Sequence, residues 1–167
     1  MTKQKPIEVI TPPNALKTKL GGALPAIDQQ AIARAEAALQ KLSGQFDTWI
    51  NEELEKLLEA WAAYEANPDE PKSKINLHRR AHDLKGLAPT YGYPLVGRMC
   101  ASLCKLTGDE YEGLSAPATL LKAHVDGVKA AINGKITGAE NPTGLALASE
   151  LEQQMKMLIA KYEEPKV

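Results

Sequence analysis

Apolar side chains recur at intervals of three and four residues along most of the chain after residue 26, and this spacing limits the folds it can adopt. It places those side chains on one face of an α-helix, because each residue turns about 100° around the helix axis. Ala, Leu, Glu, Lys and Gln, which lose little conformational freedom in a helix, fill the same stretches. The sequence therefore predicts an all-α protein.

Glycine and proline divide the periodic stretches into six predicted helices joined by short connections. Glycine favours helix ends, and proline suits the first helical position. Short connections favour antiparallel neighbours, so we expect an antiparallel up-down four-helix bundle with one or two accessory helices. The first of the six, an accessory helix, is expected to end at Ser43-Gly44, before a new helix capped by Asp47 or Thr48. Its predicted inward stripe consists of Ile32, Ala35, Leu39 and Leu42.

The domain organisation follows from where the periodic pattern starts. Residues 1–25 hold four prolines and no sustained period, which predicts a tail that is loosely ordered or lies across the bundle. Residues 26–167 are predicted to form a single helical bundle domain. A chain of 167 residues can bury a core without a metal or disulfide staple.

Charge and composition exclude several classes of partner. The formal net charge is −1 and the basic residues form no long block, so we expect neither nucleic acid nor a membrane surface as a partner. No apolar run could cross a bilayer, and the charged N-terminus lacks the apolar core of a signal peptide. We therefore expect a soluble, cytoplasmic protein. We also expect it to be a monomer. Cys100 and Cys104 lie four apart in a helical pattern, which favours a buried structural pair over a disulfide or metal site.

The predicted third helix begins after Pro71 and carries one histidine well away from its apolar stripe, which consists of Leu77, Ala81, Leu84, Ala88 and Tyr91. His82 lies about 130° around the axis from that stripe and is expected to face solvent. A neutral, exposed imidazole has a free ring nitrogen that can attack phosphorus. An ammonium one turn away can stabilise phosphoryl oxygens, and a glycine beside it leaves room for an incoming active site. The neighbours on the same side are Ile75, His78, Lys85, Gly86 and Pro89.

The segment His82-Asp83-Leu84-Lys85-Gly86, followed by Gly92, resembles the His-x-Leu-Lys-Gly-x5-Gly signature of histidine phosphotransfer (HPt) domains. The resemblance covers about residues 47–132, the expected HPt core. It implies a four-helix bundle, phosphorylation of His82 at Nε2, and phosphoryl exchange with aspartates of response-regulator receiver domains in a two-component phosphorelay. It also implies that Lys85 stabilises the phosphoryl group and that Gly86 provides clearance.

Two features depart from the family pattern. Pro89 stands where the family usually has a small residue with an amide hydrogen, so the helix is expected to bend there. Some members also place a polar side chain from the next helix near the histidine. Here the corresponding stretch runs from Cys100 to Cys104, and no catalytic residue is transferred to it.

Several neighbours of His82 allow two interpretations. His78 and His82 could chelate zinc, although no further ligand is evident nearby, and His78 is otherwise a polar neighbour of the site. Arg79, with Arg80, either steers an acidic receiver pocket or is simply solvated. Ile75 either belongs to an apolar docking patch beside His82 or is explained by helix fraying or local burial. We assign Ile75, His78, Arg79, Gly86 and Pro89 to partner docking, whereas His124 is expected at the boundary of a later apolar stripe.

The resulting hypothesis is a phosphorelay intermediate that serves receiver domains and an upstream hybrid or histidine kinase. We expect no cofactor on this chain, because magnesium would come with the receiver. Gly134-Lys135 lacks the flanking residues of a phosphate-binding loop, so the chain is expected not to phosphorylate itself from ATP. The alternatives are a helical adaptor that binds a receiver without phosphotransfer, and a purely structural bundle.

Overall fold

The computed structural model describes residues 29–109 and 115–163 together with Lys19, and every regular element in those ranges is an α-helix. The all-α prediction is confirmed, and none of the described helices is long and apolar enough to cross a membrane. The predicted tail, residues 1–25, lies outside the described residues apart from Lys19. The helices are α1 (Gln29–Ala66), α2 (Pro71–Leu87), α3 (Pro94–Thr107), α4 (Ala118–Asn133) and α5 (Pro142–Glu163).

Helix α1 is continuous where two helices were expected. The predicted end at Ser43-Gly44 is wrong, and the expected caps Asp47 and Thr48 are interior helical residues. A glycine lowers the stability of a helix by about 1 kcal/mol relative to alanine. A glycine terminates a helix only if the residues after it leave the helical conformation. Here the following residues stay helical because their apolar face, from Ile50 onward, is buried in the core.

The chain divides into two compact units, Met1–Gln40 and Lys41–Val167. In the first unit, the described part of α1 has only exposed side chains. The predicted inward stripe of the accessory helix is therefore not buried: Ile32 and Leu39 are exposed, and so is Leu42 at the start of the second unit. A stripe at helical spacing fixes which side chains share a face, but burial requires a second element against that face.

The core lies in Lys41–Val167, where α3 packs against α2, α4 and α5. Helix α1 adds its own apolar face to the same cluster, from Ile50 to Trp61. In the stripe predicted for α2, Leu77, Ala81, Leu84 and Ala88 are fully buried, whereas Tyr91 is only half-buried. Other fully buried members are Leu57, Met99, Leu103, Leu121, Val125 and Val128.

The turn between α2 and α3 fixes the end of the helix that carries His82. Helix α2 ends at Leu87, with the Ala88 amide still bonded to the Leu84 carbonyl at 2.9 Å, and Pro89 lies in the turn. The expected bend at Pro89 is therefore replaced by a helix end, because proline cannot donate the next backbone bond. Gly92 adopts φ +89°, a conformation that side chains rarely tolerate, and so reverses the chain.

His124 on α4 is fully buried, contrary to its expected place at a stripe boundary. Its Nδ1–H donates to the Leu120 carbonyl at 2.8 Å, so its Nε2 accepts the hydroxyl of Ser102 on α3, also at 2.8 Å. Both ring nitrogens thereby have hydrogen-bond partners inside the helical core, which offsets the usual cost of burying an imidazole. Burial lowers the pKa of His124, although the bond to Leu120 acts in the opposite direction.

Candidate functional site

His82 stands on the side of α2 that faces away from the core. Its neighbours in sequence on the core side, Ala81 and Leu84, are fully buried, whereas His82 is exposed. In the described part of the chain, its imidazole has neither a hydrogen bond nor an ion pair, and its ring faces that of His78. The ring nitrogens of His82 are therefore open to an incoming group.

Lys85 lies one turn further along α2 and is half-buried. Within the ranges described, its ammonium has no hydrogen-bond or ion-pair partner. Burial raises the pKa of the Cys104 thiol to about 11, and the charge of Lys85 opposes that rise. Because Lys85 follows His82 by three residues, the two lie on neighbouring positions of the α2 surface.

Gly86 provides open space on the other side of His82. A Cβ atom built on Gly86 would meet no atom of another described segment within 4 Å, so no neighbour in the described residues requires a glycine there. The glycine borders a shallow groove between α1 and α2. This groove is lined by Glu53, Lys56, Arg80, His82, Asp83, Gly86 and Leu87.

The cations around this groove are already paired. Lys56 donates to Glu53 at 2.6 Å, and Arg80 lies 3.8 Å from Asp83. These are exposed or half-exposed pairs between residues three apart on one helix, a type that contributes little to stability. Arg79 points its guanidinium at the side-chain oxygen of Asn76, at 2.9 Å. Lys85 thus differs from its basic neighbours in having no such partner in the described residues.

His78 is anchored to α3 rather than open to a partner. Its Nδ1 lies 3.1 Å from the Thr107 hydroxyl, and that hydroxyl donates to the Leu103 carbonyl at 2.9 Å. Its ring lies 6.4 Å from that of His82, centroid to centroid, with 29° between the planes. His78 is half-buried, so the predicted docking residue has an internal contact that the sequence did not reveal.

The other predicted docking residues lie on the exposed side of α2 and of the turn after it. Ile75 is 65% exposed and Leu87, which was not predicted, is 36% exposed. Arg79, Gly86 and Pro89 are also exposed. Apolar side chains on an open face beside His82 suit a docking surface, but their binding role stays a prediction.

Thr107 and the groove residues of α1 were missed by sequence reasoning. Thr107 follows Leu103 by four residues, so the inward stripe of α3 was a local signal that its hydroxyl is buried. Its pairing with His78 joins residues 29 apart, which no local pattern displays. The same limitation applies to Glu53 and Lys56, which meet α2 only through tertiary packing.

No group of three or more His, Cys, Asp or Glu residues that could hold a metal occurs in the described ranges. Cys100 and Cys104 are free, buried thiols. The described site instead offers an exposed imidazole, an unpaired ammonium and a bare stretch of backbone, a set suited to accepting a phosphoryl group. Comparison of the chain with protein-family models, with curated proteins and with solved structures finds no match.

Proposed function

We propose that this protein is a histidine phosphotransfer protein that relays a phosphoryl group between receiver-domain aspartates through His82. One observation carries the proposal: an exposed imidazole without a hydrogen-bond partner in the described residues has the unpaired Lys85 ammonium one turn along α2. Gly86, with open space where a side chain would stand, lies one turn along on the adjoining side.

The reaction balances without a general base on this chain. A ring nitrogen of neutral His82, Nε2 by resemblance to HPt domains, donates its lone pair to the phosphorus of an aspartyl phosphate. The N–P bond forms as the P–O bond to the aspartate breaks, and the aspartate leaves as a carboxylate. The other ring nitrogen keeps its proton, so the phosphorylated ring is an imidazolium. The reverse reaction passes the phosphoryl group to a second aspartate.

Lys85 and Gly86 have separate roles in this proposal. The Lys85 ammonium balances the charge on the phosphoryl oxygens, where an unscreened cation is most effective because the approaching receiver excludes water. Gly86 lets the walls of the receiver pocket approach the helix backbone. Magnesium, which receivers bind with their own carboxylates, would enter with the partner.

The finer fold belongs to the same proposal. We infer that α1 from about residue 47 and helices α2, α3 and α4 form an antiparallel four-helix bundle of the HPt type, with α5 as an accessory helix. Support comes from the packing of α3 against α2 and α4, and from the buried residues that α1 adds to the same core.

Incubation with a receiver domain phosphorylated on its aspartate tests the proposal. Label should move to the chain and be acid-labile, as phosphohistidine is, and should return to a second, unphosphorylated receiver. The variant His82→Gln should accept no label, whereas Lys129→Gln, on the exposed side of α4, should behave as wild type.

Two outcomes would overturn the phosphotransfer proposal. The first is equal labelling of His82→Gln and wild type. The second is that the wild-type chain accepts label from none of the receivers of its host. Receiver binding that persists in His82→Ala without any transfer by wild type would instead identify a helical adaptor.

A further inference from the structure

We infer that His78 is a positioning residue for His82, held in place by Thr107 on the neighbouring helix. The inference rests on the proposed phosphotransfer function and adds a residue pair to it. Sequence reasoning assigned His78 to the docking surface, but its hydrogen bond to α3 ties it to the interior of the bundle.

The direction of the hydrogen bonds fixes the state of the His78 ring. The Thr107 hydroxyl has one hydrogen, which it donates to the Leu103 carbonyl at 2.9 Å. With that hydrogen assigned to Leu103, the same oxygen accepts towards His78, and we assign the hydrogen of this bond to Nδ1 of His78. Thr107 is 3% exposed, so water does not compete for this bond.

Gly108 sets the room available for the His78 ring. A Cβ atom on Gly108 would lie 3.1 Å from Cε1 of His78 and 3.5 Å from Nδ1, and also 2.9 Å from the Cys104 carbonyl. The glycine therefore lets the edge of the ring that bonds Thr107 sit against the end of α3. The ring is fixed by a hydrogen bond and by this close packing together.

His82 receives its orientation from the fixed ring. The two histidines are four residues apart and share a face of α2, and their centroid separation of 6.4 Å falls in the range of interacting aromatic pairs. A side chain that is free to rotate and has no hydrogen bond samples several rotamers. In-line attack on phosphorus requires one of these orientations. A ring packed on one side removes part of that freedom before the receiver arrives.

Four variants separate the hydrogen bond from the ring. Thr107→Val removes the acceptor and keeps the branched shape, and Thr107→Ser restores the hydroxyl. His78→Phe keeps a ring without the donor, and His78→Asn keeps a donor near the position of Nδ1 without the ring. Circular dichroism and thermal unfolding first establish that each variant is folded.

Two reactions of these variants measure the effect. One is transfer from a phosphorylated receiver, followed over a range of receiver concentrations. The other is direct phosphorylation of His82 by phosphoramidate, which needs no receiver. We expect Thr107→Val and His78→Asn to lower the maximal transfer rate and the phosphoramidate rate about tenfold, with an unchanged half-saturating receiver concentration. Thr107→Ser should restore both rates, and nitrogen NMR should show Nδ1 of His78 protonated in wild type and in Thr107→Ser.

These measurements distinguish failure of this inference from failure of the relay. Wild-type rates in both Thr107→Val and His78→Asn would overturn the positioning role while leaving the phosphotransfer function intact. A change only in the half-saturating receiver concentration would also overturn it and return His78 to the docking surface. If no receiver transfers label but phosphoramidate still reacts more slowly with the variants, the positioning role stands and the relay fails. Should Thr107→Val not fold, wild-type rates in both His78→Phe and His78→Asn would overturn the positioning role.

Discussion

The hydroxyl of Ser102 on α3 donates a 2.8 Å hydrogen bond to Nε2 of His124 on α4, and both side chains are buried. The bond requires a neutral imidazole, because a protonated Nε2 could not accept it. The proton on Nδ1 is already donated to the Leu120 carbonyl. The helical core therefore holds a histidine whose protonation opposes folding.

The first prediction concerns the pH dependence of stability. Burial lowers the pKa of folded His124 from 6.5, so the unfolded chain binds the proton more readily than the folded chain. The stabilisation from neutral His124 is complete above pH 6.5 and should be lost progressively as the pH falls below that value. Denaturant unfolding measured from pH 5 to pH 8 checks this.

The matched variant for this prediction removes the titrating group. His124→Leu in a Ser102→Ala background should be less sensitive to pH in the same window than wild type. Ser102→Ala alone should lower the free energy of unfolding by about 1–3 kcal/mol, because it leaves a buried acceptor unsatisfied. The exposed control Ser149→Ala should change it by less than about 0.5 kcal/mol. An identical pH slope in the double variant and wild type would contradict the assignment to His124.

The second prediction concerns Lys85. Lys85→Ala should lower the rate of phosphoryl transfer about tenfold or more, because an unpaired cation next to the phosphoryl oxygens is lost. Far-ultraviolet circular dichroism should be unchanged, since no hydrogen bond or ion pair of Lys85 occurs in the described residues. Lys129→Ala is the control on another helix and should transfer normally. Unfolding of Lys85→Ala would show that the side chain supports the structure instead.

The third prediction separates stability from function at Gly86. Since a Cβ atom there meets no other segment of the described chain within 4 Å, Gly86→Ala should stabilise the fold by about 0.5–1 kcal/mol. The larger Gly86→Gln should keep the fold but obstruct the receiver and so lower the transfer rate. Gly44→Ala is a close control, because Gly44 is also helical and also has open space around it. It should stabilise the helix without any effect on transfer, and equal transfer by Gly86→Gln and Gly44→Ala would contradict the clearance role.

The fourth prediction concerns the attachment of α5, which lies outside the region that resembles HPt domains. Arg98 on α3 donates two hydrogen bonds to Glu152 on α5, at 2.9 and 2.8 Å, and they lower the pKa of Glu152. Glu152→Gln should reduce the free energy of unfolding by up to about 1 kcal/mol at neutral pH, a value limited by the exposure of the pair. Urea unfolding of Glu152→Gln beside the exposed control Glu140→Gln measures this.

The difference made by Glu152→Gln should itself depend on pH. Glu152 has a lower pKa in the folded chain than its usual 4.5, so its contribution is complete above pH 4.5 and disappears as the pH falls through the folded value. Wild type and Glu152→Gln should therefore converge in acid. A difference that stays constant down to the lowest pH at which the chain folds would argue against the Arg98 pairing.

Sequence by itself determined the helical class and the outward position of His82. Both follow from local geometry, because the 3.6-residue period puts Leu77, Ala81 and Leu84 on one face and His82 away from it. The exposed position of Gly86 follows from the same period. These features depend only on neighbours within one helix.

Tertiary structure decided what the helical period could not. It kept Gly44 inside a continuous α1, left the stripe around Leu39 exposed, and buried His124 against Ser102. It also brought Thr107 to His78, two residues that no local pattern connects. The physical reason is the same in each case: a period assigns a side chain to a face, whereas burial and hydrogen-bond partners depend on which distant segment packs against that face.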